Sequence, residues 1–114
     1  AHACADAVLG AAGLGDLGDH FPDTDARWAG ADSLTLLAEV VREAASAGWQ
    51  VVNIDTTVVA QRPRLGALRP TMADNLASVV GAPVSVKATT TEHLGFLGRA
   101  EGIACLAVAL LEAR

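Results

Sequence analysis

The sequence predicts an α/β fold, a mixed β-sheet packed against α-helices, and three observations carry that expectation. Segments of helical periodicity alternate with segments of extended periodicity along the chain. The most convincing strand, rich in Val, Ile and Thr, lies between helical stretches. Hydrophobic residues make up 52% of the 114 positions and charged residues 18%, which excludes a disordered chain. Two domains at this length would each lack an interior, so residues 1–114 read as a single domain.

The elements follow in order. His2 to Gly13 is Ala-rich and free of proline, with Gly13 and Gly15 as stops, and reads as a helix. From Leu14 to Ala31 the chain is dense in Gly, Asp and Pro and has neither helical nor strand period, so it reads as a long functional loop. Asp32 or Ser33 caps a second helix in which Leu34, Leu37, Val40, Val41 and Ala44 recur at helical spacing, up to Gly48. Glu39, Arg42 and Glu43 should face water. Trp49 to Gln61 reads as a strand, with Val52, Ile54, Thr56, Val58 and Ala60 on one face. Gln61 to Arg69 is loop, and Pro70 suits the first turn of a third helix with Met72, Leu76, Val79 and Val80 as its stripe. Val84 to Ala88 makes a short strand leading into three threonines. Ile103, Leu106, Ala107, Leu110 and Leu111 follow the spacing of an amphipathic last helix. The predicted order is helix, helix, strand, helix, strand, helix.

Composition also excludes function classes. A net charge of −5 argues against a broad nucleic-acid surface, because phosphate backbones need clustered cations. Acidic residues interrupt every apolar run before it is long enough to cross a bilayer. Cys4 and Cys105 belong to no CxxC pattern and read as buried thiols of a reducing, cytoplasmic compartment. A mean hydropathy of +0.37 is high for a soluble monomer and points to surface hidden against a partner.

Four constellations bear chemistry, each with a plain structural alternative. His2 and Asp6, four apart on a helix, share a face and suit either a metal or ordinary pairing. Asp16, Asp19, Asp23 and Asp25, with His20 and Phe21 among them, suit polyol hydroxyls or a divalent ion, or are a solvated acidic turn; the spacing is not that of a calcium loop. Thr89, Thr90, Thr91 and Glu92 after a strand can cradle phosphate with hydroxyls and free backbone N–H groups, Glu92 holding magnesium, or are simply a strand end. Lys87 beside them is as readily structural as catalytic. Arg99, near Gly95, Phe96 and Gly98, could meet an anion as a planar fork, and there is no P-loop pattern.

Taken in order, HACADAVLGAAGLGDLGDHFPDTDARWAGADS, NIDTTVVAQRP and VKATTTEHLGFLGRAEGIACLAVALL resemble the 2-C-methyl-D-erythritol 2,4-cyclodiphosphate synthase family over essentially the whole chain. GLGDLG followed by FPDTD, and ATTTE followed by LGF and GR, carry most of the likeness. Residues 66–83 match poorly, and Arg99-Ala100-Glu101 stands where the family reads GRGEG. The family holds zinc with an Asp-x-His pair and a helix histidine; His2 matches the last, while the pair and a His-Ser-Asp-Gly-Asp loop lie outside this sequence. The resemblance therefore implies a fragment, or a chain whose leading segment is elsewhere.

The resemblance further implies a lyase acting on 4-diphosphocytidyl-2-C-methyl-D-erythritol 2-phosphate, whose 2-phosphate attacks the β-phosphorus and expels CMP. Positioning and charge neutralisation then do the catalysis. It implies zinc, or another divalent transition metal, at His2 and magnesium or manganese at Glu92. Asp16, also a catalytic candidate, Leu17 and Gly18 would bind the methylerythritol part, with Phe21, Pro22, Asp23, Thr24 and Asp25 closing over it. Ala60, Gln61, Arg62, Pro63, Arg64, Leu65 and Gly66, with Thr89, Thr90 and Thr91 of a neighbouring subunit, would take the cytidine. Thr90 would steady the transition state, and Phe96 and Arg99 match further substrate positions. The implied assembly is a homotrimer with sites at subunit interfaces. Rival expectations are the cyclase half of a bifunctional cytidylyltransferase/cyclase and a non-catalytic trimeric ligand-binding module.

Overall fold

Three strands make one mixed sheet in the order β2-β1-β3, seen in a computed structural model that describes residues 1–114. The chain runs α1 (His2–Ala12), α2 (Leu17–His20), α3 (Ser33–Ser46), β1 (Trp49–Val59), a 3-10 turn (Gly66–Leu68), α4 (Arg69–Val80), β2 (Val84–Thr89), α5 (Gly95–Gly98) and β3 (Ala104–Ala113). β1 pairs in parallel with β2, from Ile54 opposite Val84 to Val59 opposite Thr89, and α4 is the crossover that a parallel pair requires. β3 returns antiparallel to β1, from Trp49 opposite Ala113 to Val59 opposite Ala104.

The helices pack on one face of this sheet: α1 against β3, α3 against α1 and β1, α4 against β2. Cys4, Ala5, Val8 and Leu9 of α1 meet Leu37, Val40 and Ala44 of α3 over Val51, Ile54 and Val58 of β1, while Leu76 and Val80 of α4 lie in the same core with Val84 and Val86. Each fully buried Leu or Val contributes about 1.5–3 kcal/mol by leaving water. Thr56 is the one buried polar residue of the core, and its hydroxyl donates to the Ser85 carbonyl at 2.9 Å, which satisfies it across the β1–β2 ladder. Asp32 caps α3, accepting from the Leu34 N–H at 3.1 Å, and Pro70 lies in the first turn of α4, where a missing N–H breaks no helical bond.

Besides Cys105, which is exposed on β3 where a buried thiol like Cys4 was expected, three expectations are corrected. The predicted last helix is β3. ACLAVALLEA is apolar at almost every position, so it fits helical and strand periods alike, and pairing with β1 along its length decides for the strand against the helix preference of Ala and Leu. Ala107, Ala109 and Leu111 then turn toward the core, and Leu106, Val108 and Leu110 face outward, 55–71% exposed. Second, the period-2 face of β1 breaks near its start: a register shift between Val51 and Asn53 leaves Val51 buried and Val52 only half-buried. Third, the segment from Leu14 to Ala31 is not wholly irregular, because α2 forms within it. Asp16 accepts from the Asp19 N–H at 3.0 Å and Asp19 accepts from the Asp16 N–H at 3.2 Å, a reciprocal cap that holds this single turn. Gly15, at φ +92°, permits it: a Cβ there would come within 2.5 Å of the Asp19 carboxylate.

Candidate functional site

Parallel pairing brings the C-terminal ends of β1 and β2 side by side, and a cavity of about 450 Å³ opens where both strands end. The segment after β1 supplies Ala60, Gln61, Pro63, Arg64, Leu65 and Gly66, and the segment around the end of β2 supplies Thr89, Thr90, Glu92 and His93. Arg69, at the start of α4, completes the wall. An adjoining cavity of about 610 Å³ is lined by Arg62 together with Gln61, Pro63, Arg64, His93 and Ala100. Arg62, Arg64 and Arg69 take part in no ion pair of the structure, whereas Arg27, Arg42, Lys87 and Arg99 are each paired with a carboxylate. In a chain of net charge −5, three uncompensated guanidinium groups at one sheet edge make a local anion-attracting field.

The threonine turn is more constrained than its sequence suggests. Glu92 and His93 both adopt left-handed backbone, at φ 52° and 65°. Such a conformation costs a residue with a side chain about 1–2 kcal/mol and persists only where neighbours impose it. The Glu92 N–H donates to the Thr90 hydroxyl at 3.1 Å, the His93 N–H donates to Gln61 Oε1 at 3.2 Å, and the Thr91 hydroxyl donates to the Leu94 carbonyl at 2.7 Å. The N–H groups of Glu92 and His93 are thus engaged within the protein, which removes the Glu92 N–H from the phosphate-cradling alternative.

The second cavity, about 370 Å³, lies between α1, α2 and the start of α3. His2, Leu17, Gly18, Phe21, Pro22 and Asp23 line it, joined by Trp28, Ala29, Gly30 and Leu36. Phe21 and Trp28 meet edge to face with ring centroids 4.8 Å apart, and the Trp28 indole N–H is buried with no hydrogen-bond partner. Underneath, His20 ties the loop down: Nε2 lies 2.6 Å from the Leu14 carbonyl and Nδ1 lies 2.6 Å from the Glu43 carboxylate. Acceptors on both sides favour the imidazolium, so the Leu14 carbonyl first, and Glu43 after it, raise the His20 pKa against the opposing effect of burial. Asp25 is held below the usual carboxylate range by Arg27, which donates from its side chain at 2.9 Å and from its backbone.

No residue lines both the strand-end cavity and the helix cavity. Within one chain, His2 therefore belongs to one and Glu92 to the other. No three His, Cys, Asp or Glu side chains converge as a metal would require. The His2 ring nitrogen Nε2 lies 3.3 Å from the Ser33 hydroxyl, and Asp6 accepts from the Leu17 N–H at 3.1 Å, so the His2–Asp6 pair considered from spacing does not form. The donors of this chain alone do not fit a zinc site.

Several sequence candidates lie outside both cavities. Asp16 is occupied as the cap of α2; Thr24 and Asp25 line neither cavity, nor does Thr91. Phe96 is 59% exposed, and Arg99 is paired with Glu101 at 2.8 Å. Lys87 pairs with Asp55 at 2.8 Å on the open sheet face, which makes it structural. Conversely, Arg69, His93 and Trp28 were not among the sequence candidates. Arg69 immediately precedes the Pro70 that opens α4 and His93 immediately follows the Thr-Thr-Glu run, so adjacency to those landmarks was the available signal.

Comparison with known proteins gives the chain its family. A profile of the YgbB family matches residues 1–112. The 2-C-methyl-D-erythritol 2,4-cyclodiphosphate synthase of Symbiobacterium thermophilum is 55% identical over 99% of this chain, which spans 74% of that protein. Among solved structures, the bifunctional IspDF of Campylobacter jejuni superposes with a TM-score of 0.93 at 42% identity, covering 99% of this chain and 31% of its own. The IspF of Plasmodium falciparum in its CDP complex superposes with a TM-score of 0.85 at 29% identity, covering 99% of this chain and 69% of its own. A match along essentially every element of the fold, from α1 to β3, establishes that the chain belongs to the YgbB family, that of the 2-C-methyl-D-erythritol 2,4-cyclodiphosphate synthases.

Proposed function

We propose that the chain is the nucleotide- and polyol-binding body of a 2-C-methyl-D-erythritol 2,4-cyclodiphosphate synthase, a lyase of non-mevalonate isoprenoid biosynthesis. The substrate, 4-diphosphocytidyl-2-C-methyl-D-erythritol 2-phosphate, carries its own nucleophile. An oxygen of the 2-phosphate forms a bond to the β-phosphorus, the bond from that phosphorus to the bridging oxygen breaks, and CMP leaves with that oxygen. The protein's task is to hold both ends of a flexible molecule so that the phosphate and the diphosphate meet. The strand-end cavity suits the cytidine and its phosphates: its volume is that of an ordinary small-molecule site, and Thr89 and Thr90 offer hydroxyl donors beside Arg64 and Arg69. The helix cavity, with Leu17, Gly18, Phe21 and Asp23, suits the methylerythritol part.

The observation that carries this reading is the split itself. Of the residues that the family motifs assign to one substrate, Leu17, Gly18, Phe21, Pro22 and Asp23 line one cavity, and Ala60, Gln61, Pro63, Arg64, Leu65, Gly66, Thr89, Thr90 and Glu92 line another that shares no residue with it within a chain. A complete site then forms where the strand-end cavity of one subunit meets the helix cavity of the next. The outward row of Leu106, Val108 and Leu110 supports such an assembly, because an exposed apolar sheet face of this kind marks an interface. A homotrimer closes three copies of this heterologous contact. Divalent metal enters the reading through the family alone; it would polarise the transferring phosphoryl group, with His2 and Glu92 as this chain's contribution to donors completed elsewhere.

The test is direct. The purified protein is incubated with the substrate and a divalent metal, and CMP and the cyclic diphosphate are followed by chromatography and phosphorus NMR. Stoichiometric appearance of both is expected; no CMP release together with no CDP binding by calorimetry would overturn the proposal. A fusion to a cytidylyltransferase is a second arrangement, and one is seen in the bifunctional Campylobacter jejuni protein, of which this chain covers 31%. The intact mass of the protein isolated from its natural source distinguishes the two.

A further inference from the structure

We infer that Gln61 is a positioning residue for Glu92, acting through the backbone of His93 rather than by binding substrate with its side-chain oxygen. This deepens the function proposed above and rests on it. The Gln61 side-chain oxygen accepts from the His93 N–H at 3.2 Å, across 32 positions of sequence. The turn's other ties are the bonds of Thr90 with Glu92 and of Thr91 with Leu94, which span at most three positions, the Gly98 N–H to the Leu94 carbonyl, which spans four, and the Ala60 N–H to the Thr89 carbonyl, which fixes where the turn leaves β2. Local bonds define the shape of a turn but leave it free to swing as a body. Gln61 is the side chain that anchors it to the loop after β1.

The anchor is needed because the turn stores strain. Glu92 and His93 are consecutive residues with side chains in left-handed backbone. Relaxation of either would rotate the peptide between them and carry the Glu92 side chain away from the cavity it lines. Gly98 packs beneath, where a Cβ would come within 2.2 Å of the His93 carbonyl carbon, so the turn is braced from below by α5 and from the side by Gln61. Gln61 also lines both the strand-end cavity and its extension, which places the tie at the junction of the two loops that receive the nucleotide.

Two substitutions separate the roles. Gln61→Met keeps the length and loses the acceptor. Gln61→Glu keeps an acceptor oxygen and loses the amide donors, and its added charge joins a lining that holds Glu92 but also Arg62 and Arg64, which have no carboxylate partner of their own. In the purified protein, Gln61→Met is expected to speed hydrogen exchange at the His93 amide and lower kcat ten- to about a hundredfold with little change in KM, the signature of misplaced groups. Gln61→Glu is expected to recover the amide protection and most of kcat. If Gln61→Glu fails as Gln61→Met does, or if Gln61→Met raises KM alone with exchange unchanged, the positioning role is wrong. Wild-type protein that neither binds CDP nor releases CMP would count against the function proposed above, while the exchange arm would still decide whether the tie exists.

Discussion

Asp16 offers the sharpest test, because its sequence motif and its geometry assign it different work. The family motif makes it a substrate ligand, while the structure has its carboxylate accepting the Asp19 N–H at 3.0 Å as the cap of a one-turn helix. Asp16→Ala removes both roles. Loss of an N-cap costs about 1 kcal/mol, within a range of roughly 0.5–2, and in a chain of 114 residues 1 kcal/mol lowers Tm by about 4 °C. If the carboxylate also grips a substrate hydroxyl, a charge-assisted bond of about 1.5–3 kcal/mol is lost as well, a further ten- to 150-fold in turnover. Asp16→Ser separates the terms, since serine is a good cap without a carboxylate. Melting curves and CMP release measured on both variants are the assay. The expected result is a near-native Tm for Asp16→Ser with activity as low as that of Asp16→Ala. Wild-type turnover in Asp16→Ser would refute the ligand role and leave Asp16 a structural cap.

Gly98→Ala should cost about 1–3 kcal/mol by driving a methyl into the His93 backbone, and should lower CMP release beyond the loss of folded protein; an unchanged Tm would refute the packing argument. Because the His20 pKa is raised on folding, its contribution to stability is fully present below the unfolded value near 6.5 and is lost as pH rises through the folded value. Melting curves on rising pH should therefore decline across that window in the wild type and lose that component in His20→Gln; identical profiles would dismiss the clamp. Val108→Lys places a charge in the outward apolar row and should break the proposed trimer to monomer in sedimentation velocity without unfolding it. A Val108→Lys protein that sediments as the wild type does would remove that face from the interface.

What was legible in the sequence tracks how locally each feature is determined. α1 and α4 carry their own glycine stops at Gly13 and Gly81, α3 carries its own cap at Asp32, and Asp32 and Pro70 do in the structure what their chemistry suggests. β3 was misread because Leu106, Ala107, Leu110 and Leu111 satisfy a helical period that Val108 and Ala109 do not contradict; only the ladder with β1, more than forty residues away, decides. The cavity residues divide differently. Thr89, Thr90 and Glu92 stood out as a polar run directly after a strand, and Ala60 to Gly66 were assigned only through the family resemblance, whereas Arg69 and Trp28 come to the cavities by tertiary packing. The cap at Asp16 was hidden because an aspartate between glycines reads equally as ligand or turn.

The pairing of Val59 with Thr89 sets where two loops leave the sheet, and it does so independently of the residues that connect them. Neighbouring strands stand about 4.8 Å apart whatever the length of their crossover. Beyond Gly66 and Arg69, which wall the strand-end cavity, and Leu76 and Val80, which lie in the core, the stretch up to Pro83 can thus vary over evolutionary time while the mouth of that cavity keeps its width. Drift at the exposed positions of α4 is free to follow solubility, and the two strand exits stay where the ladder puts them.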